Sequence, residues 1–92
     1  MIKSFADRDT QALYQGERVR RFDGFRDQAE KRLQILRRAR SLQDLRGLPS
    51  NRLEALAGDR EGQVSIRINR QWRICFRWHE GDAWDVEIVD YH

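Results

Sequence analysis

The sequence is poor in the residues that carry most cofactor and metal chemistry. It has one cysteine, Cys75, and two histidines, His79 and His92. A lone cysteine excludes an intrachain disulfide and the paired-cysteine spacing of a zinc finger, and favours a reducing cytoplasm. The histidines are not at metal-ligand spacing, and neither a phosphate-cradling glycine loop nor a nucleophile elbow is present. No cofactor is therefore expected. Long apolar runs are missing as well: residues 1–10 lack the core of a signal peptide, and no stretch approaches a membrane span. Lysine is scarce, with only Lys3 and Lys31 among 18 basic residues.

The other basic residues are all arginine, in a chain of net charge +3 and pI about 9.6. Arginine offers a planar fork that grips phosphate at two points and stacks on bases, so a small Arg-rich domain points towards nucleic acid. Fifteen acidic residues nearly balance the basic ones, so well-solvated charged faces are the plainer alternative. The length of 92 residues suits a single domain, 1–92, with a modest core. The aromatic and apolar content argues against disorder.

The chain is organised around VSIRINRQWRICFRW, residues 64–78. Val64, Ile66, Ile68, Trp72, Ile74, Phe76 and Trp78 occupy even positions; Arg67, Arg73 and Arg77 occupy odd ones. Side chains alternate across a strand, so this pattern predicts two strands joined by a tight connection, one face core and the other arginine-lined. Residues 83–91 follow a turn at residues 79–82 as a last strand, with Trp84, Val86 and Ile88 expected on one face. Asp85, Glu87, Val89 and Tyr91 are expected on the other, where the two acids would pair with strand arginines.

Upstream, residues 1–5 read as an edge or central strand. Asp7 is a candidate N-cap for a short helix ending near Gly16. Asp23 is a candidate N-cap for a longer one reaching about Arg40, with Phe25, Ala29, Leu33, Leu36 and Ala39 on one face. Its other face carries Arg26, Lys31, Arg32, Arg37, Arg38 and Arg40. Solvation is the plain reading of that face; an RNA-tracking surface is the functional one. Residues 41–50 read as a connector broken by Pro49, residues 51–56 as a short strand, and residues 57–62 as a turn. The whole predicts an α+β fold, two N-terminal helices packed on an antiparallel sheet.

The odd face and the ending Asp90-Tyr91-His92 contain the parts that metal-free RNA cleavage requires. The 2′-hydroxyl attacks the adjacent phosphorus and the 5′-oxygen leaves; the reaction needs a base, cations on the pentavalent phosphate and an acid. Arg73 and Arg67 can hold the phosphate, and His92 titrates near neutrality. Tyr91 can stack on a base or steer a proton, and Asp90 can orient His92 or accept a proton. Each signal has a plainer reading: strand arginines pair with acids, a terminal histidine is inert, and Cys75 is a buried small residue.

The run Gly58-Asp59-Arg60-Glu61-Gly62, then Ser65-Ile66, Trp72-Arg73-Ile74 and Asp90-Tyr91-His92, resembles the HigB toxins of the RelE/ParE superfamily over essentially the whole chain. That resemblance implies a microbial-ribonuclease-like, RelE-type fold and a ribosome-dependent mRNA endonuclease. It also implies a HigA-type helix-turn-helix antitoxin through which operator DNA is bound. It assigns Arg73, Asp90, Tyr91 and His92 as catalytic and Arg67 as substrate-binding; Arg70 and Glu54 are further candidate substrate-binding residues. Some members carry a histidine and a lysine before Gly58-Asp59-Arg60-Glu61-Gly62; Glu54 and Ala57 stand here instead. Glu54 can substitute as base or be a surface residue, and the change is compatible with a slow toxin. Two other readings remain: a non-enzymatic, ParE-like inhibitor of DNA gyrase, and a basic interaction module without activity.

Overall fold

The computed structural model describes residues 1–91. Three helices, α1 (Arg8–Tyr14), α2 (Arg26–Arg38) and α3 (Leu42–Arg46), precede four strands, β1 (Glu54–Ala55), β2 (Val64–Arg67), β3 (Trp72–His79) and β4 (Asp82–Asp90). The strands form one antiparallel sheet in sequence order. Its helix-facing side supplies Ile66, Ile74, Phe76, Val86 and Ile88 to the core, which meet Leu13, Leu33, Leu36 and Leu45 from the three helices. The even positions of β2 and β3 thus lie where the alternation predicts, and Phe25, Ala29, Leu33, Leu36 and Ala39 are all buried.

The N-terminus of α2 differs from the expectation. Asp23 sits in a 3-10 turn, Arg20–Phe25, and binds Arg18 at 2.8 Å instead of capping the helix; Phe25 is the N-cap. That salt bridge pulls the Asp23 carboxyl below its ordinary range. The 3-10 turn buries Phe22 and Phe25 against Trp72, with the Phe25 and Trp72 rings stacked 4.7 Å apart. Burying two aromatics outweighs one exposed cap. At its other end α2 stops at Arg38, because Ala39 turns extended.

The expected connector at residues 41–50 contains α3. Ser41 Oγ accepts from the Asp44 amide and Asp44 Oδ2 accepts from the Ser41 amide, each at 3.2 Å, a reciprocal capping box. It anchors Leu45 in the core. Replacing Ser41 with Ala should cost about 1 kcal/mol, read as a lower urea midpoint at unchanged slope.

Residues 1–5 form only isolated parallel bridges to β4, Ile2 to Ala83 and Phe5 to Val86, rather than a strand of the sheet. The interruption matches a bulge in β4, where Asp85 has φ +53° and the pairing with β3 slips between Cys75 and Arg77. Ser4 Oγ accepts from the displaced Asp85 amide at 2.8 Å. An extra residue reverses the alternation beyond it. Trp84 therefore pairs with Arg77 and is exposed, and Ala83 takes the core position that simple alternation denies it.

Candidate active site

Partners across an antiparallel ladder share a face. On the side away from the helices, Arg67 therefore stands beside Arg73 and Val89, and Glu54 stands in a row with Ser65, Cys75 and Glu87. Arg73 is not a solvated surface residue: it is 8% exposed. Its Nε donates to Ser65 Oγ at 2.7 Å and its Nη2 to the Arg52 carbonyl at 2.6 Å. The Arg52 carbonyl comes from a chain reversal in which Arg52 holds φ +44°, beside the exposed β1. These bonds fix the guanidinium plane. They leave Nη1, with two N–H groups, donating to no described residue.

Arg67 and Arg73 are like charges directly opposite each other, an arrangement that opposes folding. Neither pairs with a carboxylate among the described residues, whereas Arg18, Arg21, Arg26, Arg60 and Arg77 all do. Relieving the repulsion by Arg67→Thr should stabilise the fold by about 0.5 kcal/mol, read as a higher midpoint of thermal unfolding.

The hairpin turn places Arg70. Asn69 Oδ1 accepts from the amides of Gln71 and Trp72, each at 2.8 Å, a side-chain-closed turn. Arg67 Nε donates to the Asn69 carbonyl, so the same turn steers Arg67 as well. Gln71 then ties the chain's end to the hairpin: its carbonyl accepts from the Tyr91 amide at 2.7 Å, and its Nε2 donates to Asp90 Oδ2 at 3.0 Å. Asp90 is opposite Trp72, on the helix side of the sheet, while Arg73 is on the other side. Asp90 and Arg73 therefore lie on opposite sides of the sheet at the same end of β3. Tyr91 is 38% exposed there, and His92 lies outside the described residues.

The acids expected near the strand arginines divide. Asp85 lies 3.8 Å from Arg77, as anticipated, but Glu87 pairs with Arg60 at 3.3 Å. Cys75, fully buried between Ser65 and Glu87, has its thiol pushed up chiefly by burial. A protonated, enclosed thiol is a poor nucleophile. Alkylation of the native protein near pH 8 should be slow and become fast in denaturant, as followed by mass spectrometry.

Ser65, the Arg52 carbonyl and Gln71 hold the candidate residues in place and were not singled out from sequence. Ser65 had a visible signal, a small polar residue on the arginine face. The others reach the site through turns whose geometry no periodicity records.

Fold and site together define a small α+β protein with a preorganised, uncompensated pair of guanidinium groups at one end of an open sheet face. Residues 3–92 match the family model described as the RelE-like toxin of the type II toxin–antitoxin system HigB. The chain is 34% identical over 85 residues to Toxin HigB-1 of Vibrio cholerae serotype O1, covering 90% of each chain. It is also 34% identical over 97 residues to Endoribonuclease HigB of Proteus vulgaris, covering 100% of each. The chain belongs to the HigB-like toxin family, and an antitoxin partner follows from membership of a type II system. The match falls on the HigB branch, not on the gyrase-directed ParE reading.

Proposed function

We propose that the protein is a ribosome-dependent mRNA endonuclease that arrests translation, and that a HigA-type helix-turn-helix antitoxin neutralises it in the cytoplasm. The observation that carries this reading is the Arg67–Arg73 pair. Two opposed guanidinium groups, held without a carboxylate partner among the described residues, are stabilised by an anion between or above them. The Proteus relative's name assigns that protein ribonuclease activity, which agrees with a phosphodiester as the anion.

In the proposed reaction the message's 2′-oxygen attacks the adjacent phosphorus. The bond to the 5′-oxygen breaks, giving a 2′,3′-cyclic phosphate and a 5′-hydroxyl. Arg73 Nη1 meets the non-bridging oxygens as charge builds on the pentavalent phosphate, and its plane needs no reorganisation because Ser65 and the Arg52 carbonyl already hold it. Arg67 and Arg70 grip the strand beside the scissile bond. His92 delivers the proton to the leaving oxygen, Asp90 orients it, and Tyr91 stacks on a base. Glu54, exposed on the arginine face, is the carboxylate available to take the 2′-hydroxyl proton. DNA lacks that hydroxyl and is not a substrate.

Purified protein mixed with message should cut it when translating ribosomes are present and leave naked RNA intact. Equal cleavage of naked RNA, or none in either mixture, would overturn the proposal.

A further inference from the structure

Beside the Arg67–Arg73 pair lies a shallow cavity of about 430 Å³ that brings together arginines from four separate segments: Arg32, Arg52, Arg67 and Arg70. Arg32 comes from α2, Arg52 from the reversal before β1, Arg67 from the end of β2 and Arg70 from the hairpin turn. No acidic residue lines it, and none of the four arginines pairs with a carboxylate among the described residues. Arg32 is nevertheless held in place. Its Nη1 donates to Asn51 Oδ1 at 2.7 Å and to Ser50 Oγ at 3.2 Å, and Asn51 is itself buried, donating to the Leu45 carbonyl. Neutral acceptors orient the guanidinium without cancelling its charge.

Arg52 links this cavity to Arg73. Its left-handed backbone, uncommon for a side-chain-bearing residue, delivers its carbonyl to Arg73 while its side chain lines the cavity. One strained residue thus serves both places. Four like charges converging without compensation oppose folding unless an anion shares the space.

The geometry points to a second phosphate subsite in this cavity, with Arg32 and Arg52 binding an RNA phosphodiester next to the one that Arg73 holds. The assignment rests on the ribonuclease reading for the identity of the neighbouring phosphate. Its chemistry, a single-stranded RNA backbone held by bidentate guanidinium groups, fits either the message or an exposed loop of ribosomal RNA.

Binding separates this inference from the reading beneath it. Arg52→Asn removes the guanidinium but tolerates the left-handed backbone, so it should fold; Arg32→Gln serves as the second variant, with thermal melting as the check on both. Arg18→Gln, whose arginine is engaged by Asp23, matches the charge change elsewhere. The probes are a short 2′-O-methyl oligoribonucleotide, which cannot be cut, and purified bacterial ribosomes. Each cavity variant should weaken binding by about tenfold and lower the salt dependence on the oligonucleotide by about 0.7 in log–log slope per lost contact. Arg18→Gln should change neither. Loss on the oligonucleotide assigns the cavity to the message; loss on ribosomes alone assigns it to ribosomal RNA. Unchanged binding to both probes, or an equal loss in Arg18→Gln, would overturn the subsite. Cleavage by the unaltered toxin is scored separately: its absence counts against the ribonuclease reading and leaves the binding comparison standing.

Discussion

Arg73→Ala should reduce message cleavage by about a thousandfold or more while leaving a folded protein. Removing one preorganised donor from a developing oxyanion costs about two to three orders of magnitude, and here the donor is also a full charge. The variant has a second cost. Ser65 Oγ and the Arg52 carbonyl each lose the partner they have in Arg73; Ser65 is buried, and an unsatisfied buried group costs about 1–3 kcal/mol. Arg73→Lys distinguishes charge from geometry. An ammonium can reach the phosphate or the Ser65 hydroxyl, but it lacks the fork that binds Ser65, the Arg52 carbonyl and substrate at once. Lysine should therefore recover only a small part of the lost rate, although it preserves the charge. A circular dichroism spectrum matching the parent, together with single-turnover cleavage on ribosome complexes, checks both variants. Full recovery by lysine would mean that the bonds to Ser65 and Arg52 do not matter to the chemistry.

The second large effect concerns the chain's end. Loss of His92, by His92→Gln or by truncation after Tyr91, should lower cleavage by about two to four orders of magnitude, the usual contribution of a general acid or base. Thermal stability should hardly change, because the terminal segment is anchored upstream: Gln71 binds the Tyr91 amide and the Asp90 carboxylate. Arg73→Ala and His92→Gln can then be told apart. The first should impair cleavage and stability together, the second cleavage alone. Gln71→Ala should fall between them, with partial loss of activity, since it removes the side-chain bond to Asp90 but leaves the backbone one. Unimpaired growth arrest by the His92 variants would remove the terminal residues from the mechanism.

These residues also show where sequence reasoning reached and where it stopped. The period-two pattern from Val64 to Trp78 identified the hairpin, its buried face and the common face of Arg67 and Arg73, because a half-buried antiparallel strand writes its geometry directly into alternation; that the two arginines stand directly opposite each other came only with the register. The apolar face of α2 was legible for the same reason at a period of 3.6. Alternation failed at Trp84, since the bulge at Asp85 depends on a left-handed residue and on Ser4 from the other end of the chain. Asp23 misled because a short 3-10 turn could bury Phe22 and Phe25 against Trp72, a gain invisible to capping rules. At the site, the arginines were visible as residues on a face. What was not visible was that Arg73 is nearly buried and that a carbonyl from Arg52 and a hydroxyl from Ser65 set its plane. Those contacts depend on a chain reversal with no sequence signature stronger than Pro49.

The most direct test of the account is the chemistry and position of the cuts in cells. Message 5′ ends mapped after brief induction of the toxin, with the Arg73→Ala variant as reference, should show discrete new ends within translated coding regions, in phase with codons. They should carry 5′-hydroxyls, with 2′,3′-cyclic phosphates on the upstream fragments. Untranslated RNA should be spared. Intact message during growth arrest, or ends spread equally over untranslated RNA, would contradict the claim that this arginine-lined sheet face cuts RNA on the ribosome.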